Sequence, residues 1–268
     1  MLLAYTGSAE TSAALAWLRD RGADVATLTL DVGQGADLAE LRARALGLGA
    51  VRAHVLDCRD EFARDCVLPA LQSGVLHDAT LPISRIVHPL VARKLVDVAA
   101  IEHAGSVAHG GGPTDHASLA AAVRALNPHL AVVPAVLDAG FDAAAIAAFA
   151  RQHGIAVSAS RTRARGRDMD VPAHVEVRFE DGVPVAVNGV PMPLIELIES
   201  VATIASHHGI ARDAAAHIQT ACEAPAAVVL SEAYEALMGG VQGRATGVVR
   251  VRLFKGEHTI VGHSPVAI

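Results

Sequence analysis

Two glycine-containing stretches hold the residues best suited to chemistry in this chain. The first is Ala4-Tyr5-Thr6-Gly7-Ser8-Ala9-Glu10-Thr11-Ser12, and the second is His109-Gly110-Gly111-Gly112-Pro113-Thr114-Asp115-His116. A glycine and small hydroxyl residues at the start of a helix let backbone N–H groups converge at its positive end, which suits a phosphate or pyrophosphate. The first stretch is neither a GxGxxG fingerprint nor a Walker A loop, which ends in GK[ST]. An ordinary turn with a Ser/Thr N-cap fits the same spacing. The other reactive residue types carry less. The pair His207-His208 reads as a solvated helix cap rather than a metal site. Cys58, Cys66 and Cys222 are an odd count without metal-ligand spacing, and read as small reduced thiols. No metal site is expected from them.

The elements that must position these turns alternate along the first half. Short apolar runs at Leu2–Tyr5, Val25–Val32, Val51–Leu56, Ser106–His109 and Leu130–Pro134 read as strands. Between and after them, Ser12–Arg21, Leu38–Leu46, Phe62–Leu71, Pro89–Glu102, Ala117–Leu126 and Ala143–His153 carry helical periodicity. That alternation implies a five-stranded parallel sheet covered on both faces. In the order 3-2-1-4-5 the first and fourth strands flank the switch point, so both glycine turns line one cleft at their carboxyl ends. Beyond Ser158 the pattern changes. Ser160–Asp170, with arginines at 161, 163, 165 and 167, reads as a solvated linker. A hairpin (His174–Phe179 and Pro184–Val187, around Glu180–Val183), helices at Leu194–His208, Ala211–Thr220 and Ala226–Met238, and a last hairpin (Gly247–Phe254, His258–Val261) make a smaller α+β part. The expected domains are 1–157 and 174–268, joined by 158–173.

Composition limits the classes of function. Of 268 residues, 52% are hydrophobic and 3% aromatic, so an Ala/Val/Leu/Ile core is expected. Net charge is −6, and only Lys94 and Lys255 among 22 cationic residues are lysines. An acidic chain without a basic cluster is a poor nucleic-acid or membrane binder. The start of the chain has no charged region before an apolar core, and no run approaches a membrane span, so a soluble cytoplasmic protein is expected.

Several longer runs resemble one family. They include Leu30-Asp31-Val32-Gly33-Gln34, Asp60–Asp65 with Val67–Leu71, Pro89–Val96, Arg124–Pro128, Phe179–Ala186, Cys222–Leu230, and Val251–Gly256 with Val261–Pro265. In collinear order over nearly the whole chain, they resemble argininosuccinate synthases, members of the N-type ATP pyrophosphatases. The resemblance implies a Rossmann-like (adenine nucleotide alpha hydrolase-like) sheet, ATP and Mg²⁺ as cofactors, a small amino-acid-like substrate, and a homo-oligomer, tetramer or dimer. The activity it implies adenylates a ureido or carboxylate oxygen, releases pyrophosphate, and lets an amine displace AMP. It places ATP or its pyrophosphate on Ala4, Tyr5, Thr6, Gly7, Ser8, Glu10, Thr11, Ser12, Leu30, His109, Gly110 and Gly111. Substrate falls to Ser84, Arg85, Gly112, Thr114, Asp115 and Ser118, with His77, His88 and His116 on segments that face the family's cleft. No catalytic residue is assigned.

The departures from the family pattern cluster at these positions. The family's AYSGGLDTS is AYTGSAETS here, so Ser8 replaces a glycine and Glu10 an aspartate. A Cβ at Ser8 implies an awkward backbone or an obstructed phosphate. Of HGCTGKGNDQVRFE, only His109-Gly110 and Asp115 clearly persist; the lysine is missing, Thr114 stands for the asparagine, Gly112 for a threonine, and Ser118 for an arginine. The segment containing YSIDENLWGRS is missing between Ala156 and His174, IDxVENRxVGxKSR is missing between Arg212 and Ala221, and Cys222 replaces a tyrosine. A charged site stripped of that many partners implies a substrate other than citrulline, and a place in a specialised biosynthesis is expected. The alternative is a catalytically silent paralogue that binds a nucleotide, an amino acid or a partner.

Overall fold

A computed structural model describes residues 1–33, 37–74, 83–155, 170–210, 224–239 and 246–266. The chain forms two compact units, one of Met1–Cys58 with Ser84–Ala159, the other of Arg59–Ile83 with Ser160–Ile268. The expected helix Ala211–Thr220, the arginines of the 160–170 segment, His77 and Cys222 lie outside the described residues.

The first unit starts with β1 (Leu2–Ala4), α1 (Ala9–Asp20), β2 (Ala26–Asp31), α2 (Leu38–Gly47) and β3 (Arg52–Asp57). The chain then supplies α3 (Arg59–Phe62), a π-helical turn (Ala63–Val67) and α4 (Leu68–Gln72) to the second unit. It returns with α5 (Ile83–Ile101), β4 (Ser106–His109), α6 (Pro113–Leu126), β5 (Ala131–Pro134), α7 (Ala135–Asp138) and α8 (Ala143–Gln152). All ladders in this sheet are parallel, in the order β3-β2-β1-β4-β5. Successive strand residues face opposite ways, so Leu2 packs with Ala92, Leu95 and Val98 of α5 and Leu119 and Val123 of α6. Leu3 packs on the other face with Ala14, Leu15 and Leu18 of α1. Both leucines are fully buried.

Several helix limits differ from the sequence expectation. α1 begins at Ala9 rather than Ser12 because Ser8 is the N-cap and its side chain accepts the Thr11 N–H. α6 begins at Pro113 rather than Ala117, with proline in the first turn where its missing N–H costs nothing. α5 begins at Ile83, so Pro89 lies inside the helix instead of opening it. The expected helix Phe62–Leu71 is interrupted by the π turn at Ala63–Val67.

A charge cluster ties β3 to the end of α5. Glu102 accepts bonds from Arg52 Nε at 2.7 and 2.9 Å, pairs with Arg52 Nη2, and meets His54 Nε2 at 2.7 Å. The Arg52 guanidinium, followed by the smaller opposing effect of burial and then the His54 bond, holds its carboxyl below the ordinary glutamate value. A depressed carboxyl pKa adds stability above the unfolded value and loses it as pH falls through the folded one. Glu102→Gln is therefore expected to lower Tm at pH 7, with the difference from wild type closing below pH 4.5 in a melting series. An equal Tm difference at every pH would contradict this.

The second unit adds β6 (Ala173–Glu180), β7 (Val183–Val187), β8 (Val190–Pro191), α9 (Leu194–His207), α10 (Ala224–Met238), β9 (Thr246–Phe254) and β10 (Glu257–Val266). Its antiparallel sheet runs β10-β9-β6-β7-β8. Alternate residues Val175, Val177 and Phe179 of β6 and Val249, Val251 and Leu253 of β9 join Leu197, Val201, Val229 and Leu230 in one core. The hairpins turn at Asp181-Gly182 and Lys255-Gly256, where both residues have positive φ, as a type I′ turn requires. β10 extends past the expected Val261 to Val266, through a register shift between Ile260 and Gly262. His208 corrects another expectation: it is the C-cap of α9, but it is buried rather than solvated, and burial pushes its pKa down. Cys58 and Cys66 are buried and form no disulfide. No helix among the described residues is long and apolar enough to cross a membrane.

Candidate functional site

The site lies within the first unit, at the carboxyl ends of β1 and β4. These strands are hydrogen-bonded neighbours, with Leu2 opposite Val107 and Leu3 opposite Ala108. The turns that follow them therefore emerge side by side. A Cβ added at Gly110 would stand 3.1 Å from Thr11 Cγ2 and 3.3 Å from the Thr11 amide nitrogen, so the second turn lies directly against the first.

The first turn is built on Gly7, whose φ of +74° is the left-handed region that L side chains rarely adopt. A Cβ there would also collide with Leu41 of α2. Arg44 Nη1 donates to the Gly7 carbonyl at 3.0 Å while its other terminal nitrogen pairs with Glu40 at 2.5 Å. Below the turn, Thr29 Oγ1 donates to the Tyr5 carbonyl at 2.9 Å, and Tyr5 Oη meets Ser12 Oγ at 3.1 Å. Burial pushes the Tyr5 phenol above its ordinary value, so it remains protonated at neutral pH. Ser8 has φ −68° and ψ 164°, ordinary extended backbone. The awkward conformation expected from its Cβ does not arise, because a serine is well suited to the N-cap.

Hydroxyls crowd this turn. Thr11 Oγ1 lies 3.3 Å from the Thr6 amide, Thr6 Oγ1, Ser8 Oγ and the Ser8 carbonyl. A hydroxyl has one proton and two lone pairs, so it cannot serve four such neighbours well at once. The contacts are long for O–H···O bonds, and exchanging one for a ligand oxygen costs little. The N–H groups of Gly7, Ala9 and Glu10 have no partner among the described residues. Half-buried Glu10 adds the one acidic group of the turn, in the first turn of α1.

The second turn brings together residues far apart in sequence. His109, buried at the end of β4, accepts the Gly111 N–H on Nδ1 at 3.0 Å, and its Nε2 lies 3.0 Å from His116 Nδ1. His88 of α5 meets Ser118 Oγ at 3.0 Å through Nδ1, with Asp115 Oδ1 3.8 Å from its Nε2. Burial, then the neighbouring His116, pushes His109 down to about 4. Gly112 caps α6 with no side-chain bond, and Thr114 is exposed beside it. Leu30 is the penultimate residue of β2, the neighbour of the first turn's strand, and is half-buried. Ser84 and Arg85 lie in the first turn of α5, and their side chains are outside the description. Among the described residues no group of three His, Cys, Asp or Glu is placed to hold a metal ion. Sequence reasoning missed Leu41, Arg44 and Thr29, whose parts are set by tertiary contact and carry no local signal.

A parallel 3-2-1-4-5 sheet with paired glycine turns at its switch point defines a HUP-class (adenine nucleotide alpha hydrolase-like) fold. Residues 1–156 match the family "Arginosuccinate synthase N-terminal HUP domain", and residues 159–239 match the "Arginosuccinate synthase C-terminal domain". The chain belongs to the argininosuccinate synthase family. It is 30% identical over 353 residues to the argininosuccinate synthase of Geobacillus thermodenitrificans (strain NG80-2), covering 100% of this chain and 87% of that relative. It is 33% identical to the enzyme of Lactiplantibacillus plantarum over 283 residues, covering 88% of this chain and 68% of the relative. The same identity and share of this chain hold for the Dictyoglomus turgidum enzyme, over 281 residues and 70% of that relative. An alignment of 353 positions to a 268-residue chain means that whole segments of the relative have no counterpart here.

Proposed function

We propose that this chain is an ATP-dependent ligase that adenylates a small amino-acid-like substrate other than citrulline and joins it to an amine. The observation that carries this reading is the convergence of two glycine turns, Gly110 against Thr11, with the Gly7, Ala9 and Glu10 amides uncommitted beside them. Those amides and the Thr6, Ser8, Thr11 and Ser12 hydroxyls would receive the β- and γ-phosphates, while Ala4, Tyr5, Leu30, His109, Gly110 and Gly111 bound the rest of the nucleotide. A substrate oxygen then attacks the α-phosphorus as its bond to pyrophosphate breaks, and the amine displaces AMP. The chain's part is to orient the reactants and stabilise the departing pyrophosphate with fixed N–H donors. Ser84, Arg85, Gly112, Thr114, Asp115 and Ser118 would line the substrate side.

Magnesium fits the oxygen-rich first turn. It binds through one or two carboxylates together with substrate phosphates, and Glu10 supplies one carboxylate beside the hydroxyls. It would neutralise phosphate charge there. Residues 1–157 would form the nucleotide-binding domain and 174–268 a shortened synthetase and oligomerisation domain, in a homo-oligomeric protein of the cytoplasm. A second reading, a nucleotide- or amino-acid-binding paralogue without turnover, is favoured by the lack of any lysine or arginine in residues 4–12 and 109–116.

Calorimetric titration with ATP-Mg²⁺, followed by a pyrophosphate-release screen over amino and ureido acids, separates the two readings. Citrulline, aspartate and ATP are expected to yield no appreciable argininosuccinate, because Ser118 and Cys222 replace charged and aromatic contacts. Turnover on the order of 10 s⁻¹, an ordinary enzyme rate, would refute the altered-substrate reading. Binding of ATP without pyrophosphate release from any substrate would favour the silent paralogue.

A further inference from the structure

We propose that His116 is a ligand-facing hydrogen-bond donor at the second glycine turn, with its Nε2–H fixed by His109, which acts as its positioning residue. The assignment rests on the proposed nucleotide site for the identity of its ligand, and on hydrogen-bond direction for the rest.

A backbone amide only donates. The Gly111 N–H at 3.0 Å therefore requires an unprotonated Nδ1 on His109, and the proton of the neutral ring sits on Nε2. That Nε2–H points at His116 Nδ1, 3.0 Å away, so His116 in turn carries its own proton on Nε2. The rings are only 20° from parallel with centroids 5.2 Å apart, the separation of two nearly coplanar rings joined edge to edge. The result is a one-way series of donors, from Gly111 N–H to His109 to His116. Such a series polarises each successive N–H. His116 Nε2 is its end, and it has no partner among the described residues. The ring is half-buried on the first turn of α6, whose Gly112 N-cap leaves the helix end without a side-chain acceptor.

The same directions resist a proton. A proton on His109 Nδ1 would face the Gly111 N–H. The charged and titratable groups around His109 are His116 and Asp115 on α6, His88 on α5 and Asp138 on α7. Burial and the two histidines outweigh the two carboxylates, and push His109 down to about 4. The chain thus offers an imidazole N–H donor at a turn that contains no lysine or arginine. Its complement is an anionic oxygen, from either a nucleotide phosphate or a substrate carboxylate.

Long-range ¹H–¹⁵N spectra of the histidine-labelled full chain test the arrangement without any substitution. At pH 8 both His109 and His116 should show the Nε2–H tautomer, and His109 should keep it down to pH 5.5. An imidazolium signal from His109 at pH 6.5, or the Nδ1–H tautomer on either ring at pH 8, overturns the proposal. Titrations with ATP-Mg²⁺, inorganic pyrophosphate and L-aspartate then distinguish the sources of the oxygen. At least one should shift the His116 Nε2–H resonance, and silence to all three overturns the ligand-facing role. His116→Phe should weaken the responding probe roughly ten- to hundredfold. His109→Leu should release the tautomer, so that His116 shows Nδ1–H as well as Nε2–H signals, an effect that loss of packing alone would not produce. ATP binding measured by calorimetry stands apart. If ATP fails to bind while pyrophosphate or aspartate moves His116, the nucleotide reading falls and the donor assignment stands.

Discussion

Replacing Gly7 by valine is expected to abolish ATP-Mg²⁺ binding and to lower the melting temperature of the chain. Two independent costs add at this position. The backbone sits at φ +74°, where a Cβ is opposed by roughly 1–2 kcal/mol and a β-branched side chain by more. The new Cβ also collides with the Leu41 side chain, an overpacking of about 1–3 kcal/mol. Relief of both moves the Gly7 carbonyl off Arg44 and turns the neighbouring amides away from the cleft. A total of about 2–5 kcal/mol corresponds to a Tm drop of roughly 5–15 °C for a chain of this size. The double variant Gly7→Val with Leu41→Ala separates the costs. Leu41→Ala restores room without changing φ, so it should recover part of the Tm and none of the nucleotide binding. Recovery of full affinity would show that packing beneath the turn, rather than its left-handed backbone, makes the site. A wild-type chain that binds no nucleotide makes the loop a relic and favours the silent paralogue.

The strand order of the first unit was legible because each strand is a short apolar run closed by polar or glycine residues. Leu2-Leu3 and Val107-Ala108 face covered surfaces on both sides, and only a parallel sheet buries such runs throughout. The shared cleft followed from that order, and the contact of Gly110 with Thr11 is its outcome. Helix starts were less legible. Pro89 reads as a first-turn residue, yet α5 begins at Ile83 and carries the proline inside, where burial of Leu90, Ala92 and Leu95 offsets a lost hydrogen bond. The three histidines of the second turn lie on α5, β4 and α6, so no local spacing joins them. His88 and His116 were expected to face the cleft; their grouping with His109, Asp115 and Ser118 depends on how the helices pack over the sheet. Leu41 and Arg44 belong to an ordinary amphipathic helix by sequence. They acquire a role only because α2 packs under the first turn.

Glu10→Gln is expected to tighten metal-free ATP binding strongly and to remove most of the gain that Mg²⁺ brings. Glu10 occupies the first turn of α1, where the helix end favours its carboxylate by about 0.3–1 kcal/mol. A phosphate drawn to the same amides meets that negative charge. At about 4 Å and an effective dielectric near 20, the repulsion is roughly 4 kcal/mol, about three orders of magnitude in affinity. It exceeds the net gain of any single hydrogen bond from the turn. Arg44, which reaches the same turn, is committed to the Gly7 carbonyl and to Glu40, and Glu10 has no ion-pair partner among the described residues. A divalent cation held by Glu10 would reverse the sign by supplying charge that neutralises the phosphates. Wild-type ATP binding should therefore be weak in chelator and much tighter with Mg²⁺, and the glutamine variant should bind similarly in both. Glu10→Asp keeps the charge and should keep the Mg²⁺ dependence. Calorimetry on the three chains, with and without chelator, decides the matter. Equal metal-free affinities for wild type and Glu10→Gln would mean that the carboxylate turns away from the phosphates, and magnesium would then need other ligands.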